Sequence, residues 1–209
     1  MIDNSLRLLL KSAYLAQLRH GPFTAQEQPN LDPNDLPRAL NLGYLSEDKS
    51  QGEKRFFLTD KGRAQIKVVL AGGVYDVLHL GHLAALTEAK ELGDVLVAVV
   101  ATDVTVEVLK GRKPILPQED RRALVEGLKP VDKAILGYED VGFGFEEVLM
   151  EVMPNIVAFG YDQETLERSV REIIQRHNLR IETVKLSKYE QEKYVSSTSV
   201  RQRLSEALR

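Results

Sequence analysis

The residues best suited to chemistry lie between 71 and 82, in the run AGGVYDVLHLGH. His79 and His82 stand three apart and so share one face of a helix. Gly81 between them removes a side chain and lets a ligand approach the backbone. The apolar run IKVVLA (residues 66–71) comes just before, so the pair sits where a strand feeds a helix. The first N–H groups of such a helix lack partners and attract a phosphate group. Two imidazoles placed there can donate hydrogen bonds to phosphate oxygens as charge builds in a transition state. A metal site would need a third ligand, and His20 and His177 lie far off with no supporting pattern. The dinucleotide fingerprint G-x-G-x-x-G and the P-loop G-x-x-x-x-G-K-[ST] are both absent. Gly142-Phe143-Gly144 reads as a helix lead-in.

Other groups point to the same anion. Lys110, Arg112 and Lys113 cluster after the second apolar run, VLVAVVA (residues 95–101). Lys129 closes a helix. Ser196, Ser197 and Thr198 open the last helix, whose N-terminus is a second place for phosphate. Each has a plainer reading: a solvated turn, a favourable charge at a helix C-terminus, and an N-cap.

These residues need a scaffold, and composition bounds it. The chain has 209 residues, which makes one large domain or two small ones. It has no cysteine, which excludes disulfides, thiolate zinc sites and cysteine nucleophiles. With 43% hydrophobic and 28% charged residues it is globular. A net charge of −3 argues against a protein that coats nucleic acid non-specifically. No apolar run approaches the ~18 residues of a membrane span. The start MIDNSLRLLLK carries Asp3 ahead of its apolar stretch, unlike a signal peptide. A cytoplasmic protein with no membrane partner is expected.

The pattern changes near residue 66. Before it, Leu6, Leu9, Leu10, Tyr14 and Leu18 fall at helical spacing over residues 5–19, with Ser5 or Asn4 as cap. A second short helix is expected from Thr24 to Gln28 and a third from Asp35 to Leu45. Two short strands around Ser50-Gln51-Gly52 and a last helical turn at Thr59–Gly62 follow. That order resembles a winged helix over residues 1–65. The segment holds nine Lys/Arg against eight Asp/Glu, and only Lys49 to Arg55 is locally basic. DNA affinity comes from clustered basic residues, so a packing, dimerising or regulatory module is favoured over a DNA reader. A homodimer is expected.

Residues 66–209 read as strands at Ile66–Ala71, Val95–Ala101, Lys133–Leu136, Ile156–Phe159 and Ile181–Leu186. They alternate with helices at His82–Leu92, Pro117–Leu128, Phe145–Met153, Glu164–His177 and Thr198–Leu208. This is a doubly wound parallel five-stranded α/β sheet, a Rossmann-like architecture with right-handed crossovers. Its ligands sit at the carboxyl ends of the strands.

GVYDVLHLGH is similar to the signature of the cytidylyltransferase-like nucleotidyltransferases, whose H-x-G-H loop binds a nucleoside triphosphate. Residues 111–137, GRKPILPQEDRRALVEGLKPVDKAILG, resemble the archaeal-type FAD synthase branch. SSTSVR (residues 196–201) resembles the S-[ST]-T-x-[IV]-[RK] segment of the wider family. The resemblance implies transfer of a nucleotidyl group from ATP or CTP to a phosphorylated small molecule, with release of pyrophosphate. FMN is the favoured acceptor. Glycerol 3-phosphate, another phospho-alcohol or a sugar phosphate is the alternative, and a winged-helix regulator with a nucleotide-sensing domain is a reading from another class. The acceptor phosphate has a second pKa near ~6 and is already a nucleophile at neutral pH, so no general base is required.

The resemblance also implies site residues. His79, His82 and Lys110 would serve the reacting phosphates. Gly73, Val74, Tyr75, Asp76, Gly81, Lys129, Gly160, Asp162, Gln163, Ser196, Ser197 and Thr198 would hold the nucleotide. Thr102, Asp103, Arg112, Lys113 and Arg121 would meet the acceptor. Lys188 or Lys193 stands where many relatives carry an arginine. Mg²⁺ would come with the nucleoside triphosphate, without a dedicated carboxylate cage, touching Asp76 or Asp162 through water.

Overall fold

A computed structural model describes residues 2–18, 21–24, 32–48, 54–139, 144–189 and 197–207. The chain divides into two compact units, Met1–Lys67 and Val68–Arg209.

In the first unit α1 spans Asn4–Leu18 and buries Leu6, Leu9, Leu10, Ala13 and Tyr14. Those positions recur at three- and four-residue intervals, as one apolar stripe requires. The cap is Asp3, whose Oδ1 accepts the Leu6 N–H at 3.0 Å, rather than Ser5 or Asn4. α2 covers Asp35–Asn41. It stops earlier than expected because Gly43 turns left-handed at φ +70° and Leu45 already starts a strand. β1 (Leu45–Asp48) and β2 (Arg55–Leu58) pair antiparallel, Leu45 opposite Leu58. Phe23 exchanges both backbone hydrogen bonds with Phe56. α3 is one turn, Asp60–Arg63, capped by Thr59, whose side chain accepts the Gly62 N–H at 3.1 Å. The expected helix at 24–28 lies, beyond Thr24, outside the described residues, as does the turn at 50–52.

The second unit runs β3 (Val68–Gly73), α4 (Leu80–Glu91), β4 (Val95–Val100), α5 (Asp103–Lys110), α6 (Gln118–Glu126) and β5 (Lys133–Leu136). It continues through α7 (Gly144–Val152), β6 (Ile156–Phe159), α8 (Glu164–Arg176), β7 (Glu182–Lys185) and α9 (Ser197–Ala207). The sheet order is β5-β4-β3-β6-β7, with every pairing parallel. All six residues of β4 and all four of β6 are buried, as central parallel strands covered on both faces must be. Val69, Ala71, Leu96, Ala98, Val100 and Ala158 share a core with Leu86 and Ala89 of α4 and Val125 of α6. The alternate residues, Leu70, Val97 and Val157 among them, are buried as well, and so are Val148 and Leu149 of α7 and Val170 and Ile173 of α8. The chain winds from β3 outward to β5, then crosses back to β6 and β7. The crevice at the carboxyl ends of β3 and β6 is therefore the switch point at which such sheets take ligands.

Two expectations about this second unit are corrected. Helix α5 was not anticipated, because Val104, Val106 and Val108 alternate as a strand would. What makes it a helix is its ends: the Thr102 hydroxyl accepts the Thr105 N–H at 3.2 Å, and Gly111 closes it at φ +64°. Lys129 is the second. It follows α6 and precedes β5, so it lies at the edge where the strands begin, opposite the crevice. Its near neighbour Asp132 bonds there to the Leu96 N–H, at the start of β4.

Candidate active site

β3 leaves the sheet through two glycines. A Cβ on Gly73 would meet the Tyr75 ring at 2.6 Å, and one on Gly72 would meet Phe145 at 3.3 Å. Tyr75 turns back at φ +52° and is buried, which pushes its phenol up. Its ring stands 5.2 Å from that of His82. Asp76 follows and is 1% exposed. Burial would raise its carboxyl, but the Ile115 N–H, Arg201 and Arg112 more than offset that and hold it below the ordinary value. Oδ1 accepts from Ile115 N at 2.5 Å and Leu116 N at 3.4 Å; Oδ2 takes Arg112 at 3.2 Å and also Arg201. One carboxylate thus ties the turn after β3 to the loop after α5 and to α9.

His79 is the N-cap of α4; its side chain makes no capping bond, and its carbonyl takes the His82 N–H at 3.0 Å. Its ring stacks on His82 with centroids 3.8 Å apart and planes 24° apart. Burial lowers the pKa of His79. Burial and then the neighbouring His79 push His82 down to about 4. Both imidazoles are therefore neutral at pH 7. The Nδ1 atoms of both are buried and have no partner among the described residues.

Arg121 is fully buried. Its Nε donates to the Leu116 carbonyl at 3.0 Å, Nη1 to the Val74 carbonyl at 2.5 Å, and Nη2 to Asp103 at 2.7 Å. One guanidinium thereby joins the turn after β3, the start of α5 and the loop before α6. Asp103 N–H also donates to the Gln118 side chain at 2.9 Å.

Across the crevice, β6 ends in Gly160-Tyr161-Asp162-Gln163. The Gly160 N–H donates to Gln163 Oε1 and Gln163 Nε2 donates to the Gly72 carbonyl, each at 2.8 Å. Lys188 lies over the Tyr161 ring at 5.5 Å. After β7, Ser187 gives its N–H and hydroxyl to Glu88 of α4 at 3.0–3.1 Å.

These elements enclose a cavity of about 330 Å³. Of the expected residues, Gly73, Val74, Tyr75, Asp76, His79, Gly81, His82, Lys110, Arg112, Gly160, Asp162 and Gln163 line it. Thr102 and Arg121 are buried behind it, Asp103 is held by Arg121, and Lys113 is exposed and outside it. Lys129 is remote, as described. Ser196 and Lys193 lie outside the described residues, and Ser197 and Thr198 are described only as the first backbone positions of α9. Sequence reasoning assigned no role to Arg201, the last letter of SSTSVR, or to Ser187 and Tyr189 in the cavity wall. The latter two follow a strand end at the ligand edge, which was the available signal.

A strand, a histidine pair at a helix start and a crevice of this size at the switch point define an α/β nucleotidyltransferase. Residues 70–203 match the family described as Cytidylyltransferase-like, and the chain belongs to that family. It is 46% identical over 121 residues to the FAD synthase of Aciduliprofundum boonei, spanning 58% of this chain and 78% of that one. To the FAD synthase of Thermoplasma acidophilum it is 41% identical, spanning 67% and 95%. Among solved structures it superposes on a lipopolysaccharide core biosynthesis protein from Thermoplasma volcanium with a TM-score of 0.55 and 41% identity, over 60% of this chain and 99% of that one. A pantoate-beta-alanine ligase from Francisella tularensis, complexed with beta-gamma ATP and beta-alanine, shares the fold at 12% identity, over 66% of each chain, with a TM-score of 0.51. Among the described residues no helix is long and apolar enough to cross a membrane, and no group of three or more His, Cys, Asp or Glu could hold a metal ion.

Proposed function

We propose that the chain is an FMN adenylyltransferase. An oxygen of the FMN phosphate attacks the α-phosphorus of ATP, the bond from that phosphorus to the β-phosphate oxygen breaks, and FAD and pyrophosphate result. The observation that carries the reading is the stacked, neutral His79–His82 pair with two buried nitrogens lacking partners at the mouth of the crevice. A buried polar atom left unpaired costs about 1–3 kcal/mol, which a ligand atom relieves. The likeness to FAD synthases supports the choice of FMN and ATP.

The chemistry asks for alignment and charge neutralisation. Neutral imidazoles donate hydrogen bonds without surrendering a proton, and the dianionic acceptor needs no base. Gly73 and Gly81 leave room for the triphosphate to approach the backbone and the first turn of α4. Lys110 meets the charge that collects on the leaving pyrophosphate, and Arg112 meets the acceptor. The loop at Gly160–Gln163 takes the nucleoside, and α9 reaches the site through Arg201, which pairs with Asp76.

A resident magnesium does not fit this donor set. Both Asp76 oxygens are engaged by N–H groups and guanidinium, which leaves Asp162 as the carboxylate in the cavity wall. Magnesium is part of the substrate and arrives on the triphosphate. The N-terminal unit serves packing, dimerisation or regulation.

The test is a panel of ATP or CTP against FMN, glycerol 3-phosphate and phosphocholine, read by pyrophosphate release. ATP with FMN should give FAD. H82A should lose roughly 10²–10³ in turnover, as removal of a transition-state donor does, with an unchanged circular dichroism spectrum. Full activity in H82A refutes the assignment.

A further inference from the structure

β3 and β6 are hydrogen-bonded neighbours only as far as Ala71 opposite Ala158. Beyond that pair they part and form the crevice. In a parallel sheet successive carbonyls point to alternate neighbours. The Gly73 carbonyl faces β4, where the Ala101 N–H takes it at 2.9 Å. The Gly72 carbonyl faces β6, but the gap is too wide for a backbone partner. The Gln163 carboxamide fills that place with the donor and acceptor of a peptide group. Its orientation is dictated, because Gly160 offers an N–H and Gly72 offers a carbonyl. Its backbone is held too: Gln163 N–H donates to the Gly160 carbonyl at 3.1 Å, and its own carbonyl accepts from Glu167 N at 2.9 Å at the start of α8.

We propose that Gln163 is a positioning residue, a side-chain splice that continues the β3–β6 ladder into the crevice and sets the width at which the nucleotide is gripped. Its carboxamide is spent on Gly72 and Gly160 and acts through them. The proposal rests on the adenylyl-transfer reading of the crevice for its kinetic readout.

Two variants test it on the full chain. Q163M keeps the length and removes both hydrogen bonds. Q163E keeps the acceptor and makes the donor conditional. A protonated carboxyl restores the bond to the Gly72 carbonyl, whereas a carboxylate opposes it. Facing a carbonyl in a half-buried site, that carboxyl titrates above the usual ~4.3. The charged and titratable groups around it are Asp162, Tyr161, Glu164 with Lys185, Glu167 with Arg171, Lys188 and the two histidines, and the wild type carries all of them unchanged. Activities are therefore compared as variant-to-wild-type ratios at each pH. Misplacement by about an ångström costs up to roughly 100-fold in kcat/KM, so Q163M should lose roughly 10- to 100-fold at every pH from 5 to 9. Q163E should match Q163M at pH 8 and recover toward wild type near pH 5. A flat Q163E ratio, or wild-type kinetics in Q163M, overturns the proposal. If Q163M does not fold, the pH dependence of Q163E decides alone. If the wild type makes no FAD, the adenylyl-transfer reading fails, and the same ratios are taken from ATP dissociation constants.

Discussion

The histidine pair yields a prediction whose size follows from its burial. His82 is pushed from the ordinary 6.5 down to about 4 by burial and by His79. The folded state therefore refuses a proton that the unfolded chain accepts. Above pH ~6.5 neither state binds it and the stability is fully present. Between ~6.5 and about 4 the unfolded state binds more protons, so stability falls as pH falls. At ~1.4 kcal/mol per pH unit the loss is roughly 3 kcal/mol by pH 4. His79, lowered less, adds to it in the same direction. NMR titration of the four histidine side chains reads the shift directly. Amide exchange in the buried strand β4 reads the free energy, since those amides open with the whole unit. H82A should lose roughly 3 kcal/mol less than wild type between pH 7 and 4. Bound ATP places negative charge beside the pair and should move the titration upward. A His82 that titrates near 6.5, or equal pH slopes in both proteins, refutes the reasoning.

Three further outcomes are expected. R121M strips donors from the Val74 and Leu116 carbonyls and should cost roughly 2–5 kcal/mol, seen as a lower melting temperature; an unchanged melt contradicts the buried role. K110A should raise the KM for ATP roughly 10- to 100-fold, the worth of a charge-assisted hydrogen bond, and an unaltered KM removes Lys110 from the triphosphate. K129A should leave kcat and KM within about twofold, because Lys129 lies at the opposite edge of the sheet; a larger effect would place it back at the site.

The strands were legible because central parallel strands are continuous apolar runs. Ile156–Phe159 and Lys133–Leu136 begin and end where their residues change character. The histidine pair was legible because spacing and a preceding strand fix its place. Helix α5 was not, since alternating valines give no helical stripe and only its caps betray it. The location of Lys129 follows from direction alone: a helix leading into a parallel strand ends where that strand begins. The contacts of Asp76, Arg121 and Gln163 bridge up to 125 residues of sequence and depend on side-chain placement, which spacing does not encode.

Asp76 draws its donors from residues 112, 115, 116 and 201. At a synthesis rate of ~5–20 residues per second, a ribosome needs roughly 6–25 s to pass from the first of these partners' target to the last. During that interval a nascent chain has its histidines but lacks one of the cations that balance the carboxylate beside them. A fragment ended before residue 201 would keep every strand but leave Asp76 to Arg112 and two backbone amides, without the second cation that Arg201 brings.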